Sequence, residues 1–154
     1  RLNKSFDMMA DIFRLDYSSI QNIEYRRTDG SVLKSYIQDL KAGHRYAVGV
    51  NHRIYQRLML RYGYSYDEAV SSSQYCVTAL PDQARNNFNV GMQLQISPTD
   101  YLDFGLQYTL FKDAAIQDRA ALQGRPGEKS YDGNLNGAVK SKLMFLGLQY
   151  RSAF

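Results

Sequence analysis

Between residues 57 and 112 apolar and polar positions alternate almost without interruption, in three consecutive segments. In 57–67, Leu58, Leu60, Tyr62, Tyr64 and Tyr66 share one side, with Met59, Arg61, Gly63, Ser65 and Asp67 on the other. In 86–97 the sides are Phe88, Val90, Met92, Leu94 and Ile96 against Asn87, Asn89, Gly91, Gln93 and Gln95. In 101–112, Leu102, Phe104, Leu106, Tyr108 and Leu110 oppose Asp103, Gly105, Gln107, Thr109 and Phe111. A period of two predicts strands, because successive side chains leave a strand on opposite sides. One side is large, often aromatic and uncharged. The other is rich in glycine, amide and charge. A membrane-spanning barrel needs that contrast, with lipid outside and water inside.

Four further segments, 6–17, 21–27, 43–54 and 138–150, bring the expected strands to seven. Tyr46, Val48 and Val50 oppose Arg45, Ala47, Gly49 and Asn51, and Met144, Leu146, Leu148 and Tyr150 oppose Gly147, Gln149 and Arg151. Most of these runs approach the roughly nine to eleven residues that a tilted spanning strand needs. The connections alternate in length: 18–20, 55–56 and 98–100 are short, while 28–42, 68–85 and 113–137 are long and polar. Bacterial outer-membrane barrels pair short periplasmic turns with longer extracellular loops. In that orientation Tyr46, Tyr62, Tyr64, Tyr66 and Tyr108 gather toward the outer interface, and Tyr55, Tyr101 and Tyr150 toward the inner one. Two aromatic girdles follow. The last connection carries turn formers at Gly124-Arg125-Pro126-Gly127 and Asp132-Gly133, and its stretch 117–122 is compatible with a short helix.

Composition fits this picture. The chain has 154 residues, 44% hydrophobic and 22% charged, which suits one folded domain rather than disorder. Mean hydropathy is negative, and no run has the length of a membrane-spanning helix. Barrel strands hide half their residues from lipid, so neither fact opposes a membrane. Tyrosine is abundant at 13, with no Trp and 3 Pro, as long strands with interfacial aromatics require. The fold class is therefore all-β: an antiparallel transmembrane β-barrel, with 1–154 in one domain.

The net charge of +4 comes from scattered Lys and Arg, with Arg26-Arg27 the longest basic run. No nucleic-acid module accompanies it, and nucleic-acid binding is not expected. The single cysteine, Cys76, excludes an internal disulfide framework and reads as a shielded loop thiol. His44 and His52 stand at the two ends of one strand, roughly 27 Å apart, too far for a shared metal. No metal, cofactor or catalytic set is expected. A surface phospholipase would need a serine beside His52 on the lipid side, and none is evident.

Arg61 and Arg45 fall on the lumen side with Asp67, Asp103 and Gln107. They read either as a solvated, ion-paired lumen network or as the contact for a carboxylate head group. Met59 and Phe111 are candidates to line an inner pocket, and Val77, Ala79 and Leu80 an outer apolar groove. Pro81, Asp82 and Arg85 are expected to fix the return of a long loop into its strand.

Several runs together resemble the FadL/TodX type of outer-membrane transporters for long-chain fatty acids and other hydrocarbons. They are Tyr46-Ala47-Val48-Gly49-Val50, Leu60-Arg61-Tyr62-Gly63-Tyr64-Ser65-Tyr66-Asp67, Leu80-Pro81-Asp82-Gln83-Ala84-Arg85, Phe88-Asn89-Val90-Gly91 and Leu102-Asp103-Phe104-Gly105-Leu106-Gln107-Tyr108. Asp16-Tyr17-Ser18 is similar to the family's Asp-aromatic-Ser at an earlier strand end. Ala84 stands where the family often has an acid. The terminal run with Tyr150 and Phe154 resembles the signal read by the barrel-assembly machinery, with Ser152 where a large apolar residue is usual.

The resemblance implies a fourteen-stranded barrel with an N-terminal plug, of which this chain would be the C-terminal half. It implies passive transport of a hydrophobic small molecule through a loop and lumen site with sideways exit into the membrane. Expected partners are outer-membrane lipid and lipopolysaccharide, the ligand, and the assembly machinery during biogenesis, with the protein a monomer. The alternative is a non-specific porin or a structural barrel. A soluble ligand-binding barrel would turn its apolar side inward, which the polar lumen side opposes.

Overall fold

The computed structural model describes residues 5–71, 82–119 and 134–153. Among them are ten strands. They are β1 (Phe6–Asp16), β2 (Asn22–Arg26), β3 (Val32–Ile37), β4 (Ala42–Tyr55), β5 (Leu58–Asp67), β6 (Arg85–Gln95), β7 (Asp100–Phe111), β8 (Ala114–Arg119), β9 (Asn134–Val139) and β10 (Lys142–Ser152). Six long strands make one antiparallel sheet in the order β1-β4-β5-β6-β7-β10, and β2-β3 and β8-β9 are separate two-stranded hairpins.

The wall therefore contains six of the described strands, not seven. The expected strand at 21–27 alternates like the others, but it pairs with β3 inside what was expected to be the loop 28–42. The turn at 18–20 is then a bend from the wall into this hairpin, fixed by Asp16, whose carboxylate accepts from the Ser18 backbone N–H at 3.0 Å and from its hydroxyl at 2.6 Å. The Gln21 side chain closes the hairpin base by donating to the Leu40 carbonyl at 3.2 Å.

The expected strand 138–150 is likewise two strands. Its first residues end β9 against β8, and the wall strand begins only at Lys142. The stretch 117–122 starts in β8, so no helix forms over its described part. Cross-strand partners override a weak helical preference here.

All three long connections lie at one end of the wall. Asp16 faces Ala42, Asp67 faces both Arg45 and Arg85, and Leu110 faces Lys142. The opposite end carries the tight β4–β5 and β6–β7 turns. The ladders run unbroken except for a bulge at Arg53/Tyr55 beside the first of these turns.

Register turns the alternation into two continuous surfaces. Across the wall one row reads Ala10, Val48, Tyr64, Phe88, Tyr108 and Met144, and the next Met8, Val50, Tyr62, Val90, Leu106 and Leu146. These residues face outward, and many are open to the surroundings: Ile12 is 74% and Leu148 73% exposed. Burial is found on the other face, and its most buried members are polar: Thr109 at 1%, Ser65 at 2% and Asn87 at 5%. A water-soluble protein shows the reverse arrangement. Lipid as the outer solvent accounts for it.

The tyrosines mostly lie where the sequence suggests. Tyr46 and Tyr66 are cross-strand partners near the long-loop end, and Tyr64 meets Phe88 with ring centroids 5.4 Å apart. Tyr101 departs from expectation. It shares the lumen parity of Asp103, and the Arg151 guanidinium lies 5.2 Å from its ring centroid. The inner girdle is left with Tyr55 and Tyr150.

Candidate functional site

The lumen face carries two clusters in which one aspartate serves two arginines. At the long-loop end β4, β5 and β6 bring Arg45, Asp67 and Arg85 into one row. Arg85 Nε donates to Asp67 Oδ2 at 2.8 Å, and Arg45 Nε lies 3.3 Å from Oδ1. Asn87 joins the cluster by donating to Asp67 Oδ2 and to Ser65 Oγ, both at 3.0 Å. Thr109 donates to Asn87 Oδ1 at 2.8 Å, and Gln107 donates to Thr109 Oγ1 at 3.1 Å. Each buried polar group thus has a partner on the neighbouring strand, which locks the register of four strands.

The second cluster lies nearer the short turns. Asp103 receives Arg151 Nε at 2.9 Å, Gln93 Nε2 at 2.9 Å, and Arg61 Nη1 at the ion-pair distance of 3.5 Å. Both aspartates are largely buried while all four arginines stay about half exposed. Each cluster therefore carries one positive charge more than it neutralises internally, and presents it to the lumen.

Between the clusters the wall opens into a concavity of about 520 Å³. Gly63, Gly91, Gly105 and Gly147 form much of its floor, and Arg61, Asn89, Gln107, Met9 and Phe145 stand around it. A smaller hollow of about 180 Å³ near the short turns is lined by Met59, Arg53, Gln93 and Tyr101.

The expected site residues are therefore spread along the wall. Arg61 borders the larger hollow, and Met59 belongs to the smaller one. Arg45 sits in the outer cluster, where Phe111 faces Arg85 across the β6–β7 ladder. Asp82 accepts from the backbone N–H groups of Val70 at 2.5 Å and Ser71 at 2.8 Å, joining the two described ends of the loop between β5 and β6. Arg85 opens β6 and pairs with Asp67, the last residue of β5. Val77, Ala79, Leu80, Pro81, Cys76 and Phe154 lie outside the described residues.

Residues 1–154 match the Outer membrane protein transport protein (OMPP1/FadL/TodX) family. The chain belongs to that family. A "47 kDa outer membrane protein" of Pasteurella multocida (strain Pm70) is 24% identical over 139 residues, 86% of this chain and 31% of that protein. The crystal structure of a Pseudomonas aeruginosa FadL homologue shares the fold with a TM-score of 0.83 at 18% identity, over 99% of this chain and 33% of that one. The chain thus spans about a third of the length of these relatives. It is part of an outer-membrane β-barrel wall.

Within this OMPP1/FadL/TodX barrel wall, sequence reasoning missed Ser65, Asn87 and Thr109 as partners of Asp67, and Arg151 as the partner of Asp103. Their parity placed them on the lumen face. Which of them meet depends on register, which one strand's pattern does not contain.

His44 and His52 are not brought together. His52 stacks on Phe6 with centroids 4.1 Å apart. His44, at the loop end, gives its backbone N–H to Glu68 Oε2 at 2.9 Å, with its ring Nδ1 3.0 Å from the same oxygen. These contacts hold the Glu68 carboxyl below the usual glutamate range, the ring contact foremost.

Proposed function

We propose that this wall belongs to a passive outer-membrane transporter of hydrophobic molecules, long-chain fatty acids or other hydrocarbons. The observation that carries the reading is the larger lumen hollow. It joins a floor without side chains, two apolar neighbours in Met9 and Phe145, and one arginine with charge to spare. An apolar chain finds room and contact there, and an acidic head finds Arg61, whose charge-assisted hydrogen bond would orient it. A ligand entering among the loops would meet the Arg45–Asp67–Arg85 cluster first and the Arg61 cluster second. Sideways exit into the membrane completes the proposed route. Passive partition requires no energy source and no redox cofactor.

A second reading has its own support. Two ion-paired clusters with excess positive charge also suit an aqueous pore that favours anions. Binding of a labelled long-chain fatty acid to the full-length protein separates the two. Saturable binding, weakened several-fold by Arg61→Gln, supports transport of hydrophobic molecules. Ion conductance without saturable binding overturns it in favour of the porin.

A further inference from the structure

The outer rim of the lipid-facing surface carries positive charge that neither the lumen clusters nor the loop contacts use. β7 closes at Phe111, and its N–H donates to the Ser141 carbonyl at 3.3 Å, so the ladder with β10 continues to the strand ends. Leu110 faces Lys142 in that ladder, and Lys112 follows two residues on, on the same outward side. The two lysines are diagonal cross-strand neighbours, with backbones roughly 7 Å apart. Like charges so placed repel unless an anion lies between them.

No carboxylate among the described residues provides that anion. Asp113, adjacent to Lys112, is taken by Lys140 at 3.2 Å. Glu68 is taken by His44. Lys112 instead donates to the Tyr66 hydroxyl at 3.2 Å, with its ammonium 5.0 Å from the centre of that ring. The contact holds the ammonium at the edge of the apolar surface rather than out in solvent.

Immediately below the lysines, on the same face, lie Leu110, Met144 and Leu146. Met144 is 68% and Leu146 70% exposed. Two ammonium groups above a bare apolar column match a molecule with phosphate at its head and acyl chains beneath. A free phosphate would leave the column unused, and an acidic peptide would have to bury charge against it.

We propose that Lys112 and Lys142 bind the phosphate of an outer-leaflet lipid headgroup, that of lipopolysaccharide, whose acyl chains lie along Leu110, Met144 and Leu146. The inference rests on the long connections facing outward, and it is independent of what passes through the lumen.

The test uses the full-length protein in detergent, with purified phosphorylated lipid A and its dephosphorylated form as probes. Native mass spectrometry or thermophoresis reports binding. The unaltered protein should prefer the phosphorylated lipid, and the preference should shrink as salt rises. The double variant K112Q/K142Q should lose roughly 5-fold for each lysine, about 25-fold in all. Arg57→Gln, which removes a charge at the short-turn end, should retain the preference. Equal binding of both lipids by the unaltered protein overturns the proposal, and that comparison needs no variant to fold. Full preference in the double variant overturns it as well. So does displacement of the lipid by inorganic phosphate at matched concentration, because the site would then recognise phosphate without its chains.

Discussion

The two faces of the wall are made by the same strands and obey opposite rules. Outward, Val48, Val90 and Leu148 are exposed without partners, and nothing but their apolar character suits them to their place. Inward, Asp67, Asn87 and Thr109 are buried, and each depends on a named neighbour one strand away. Outside, the surrounding lipid sets the composition and individual identity matters little. Inside, the fold is specified pair by pair, because a buried polar group that loses its partner keeps its desolvation cost. Tolerance to change should therefore differ sharply between adjacent residues.

The largest expected effect tests the faces directly. Val90→Arg, in the middle of the outward face, should destabilise the folded barrel in lipid vesicles by about 2–4 kcal/mol. The next residue offers the contrast, since Asn89→Arg should cost less than about 1 kcal/mol because water reaches that side. Urea titration of both variants decides the matter, and equal losses would mean that the faces are wrongly assigned.

A smaller effect is expected at Asp67. Asp67→Asn leaves Arg45 and Arg85 facing each other without a carboxylate. The loss should be about 1–2 kcal/mol, moderated because both arginines are half solvated. Adding Arg85→Gln should restore part of it, and a double-mutant cycle with no coupling would argue against a shared network.

At the loop end the tie between Glu68 and His44 predicts pH dependence. The folded-state carboxyl titrates below its unfolded value, so the tie contributes above the unfolded pKa and is lost as pH falls through the folded one. Hydrogen exchange at the His44 amide should accelerate between pH 5 and about 3. Glu68→Gln should abolish that acceleration, and an unchanged profile in this variant would assign it to another group.

The smallest effects concern glycine. A Cβ at Gly105 would meet nothing within 4 Å, so Gly105→Ala should shift stability by less than about 0.5 kcal/mol. Gly43→Ala should cost more, because its Cβ would come 2.7 Å from Val70 Cγ1 at the base of the loop. Comparing their unfolding midpoints shows whether the open floor is packed against anything.

Much of the wall was legible in the chain. The alternation through Leu58–Asp67, Arg85–Gln95 and Asp100–Phe111 gave the strands to within a residue or two, and their parity assigned the faces. The candidate site was legible only in part. Arg61 and Arg45 could be placed on the lumen side, but their shared aspartates could not be paired with Arg151 and Arg85. The segment 21–27 shows why. Asn22–Arg26 alternates as a wall strand would, and only its pairing with Val32–Ile37 reveals a loop hairpin.

The sequence by itself determined what is local: strand or turn, the face of each residue, the lipid-facing composition, and the end that carries the long loops. Tertiary structure alone decided which strands are neighbours. With that it decided that the described wall has six members, that Tyr101 turns inward beneath Arg151, and that Asp67 and Asp103 each hold two arginines. The physical reason is that side-chain direction follows from a strand's own geometry. Register and partnership arise between segments distant in the chain, where alternation looks the same whatever lies opposite.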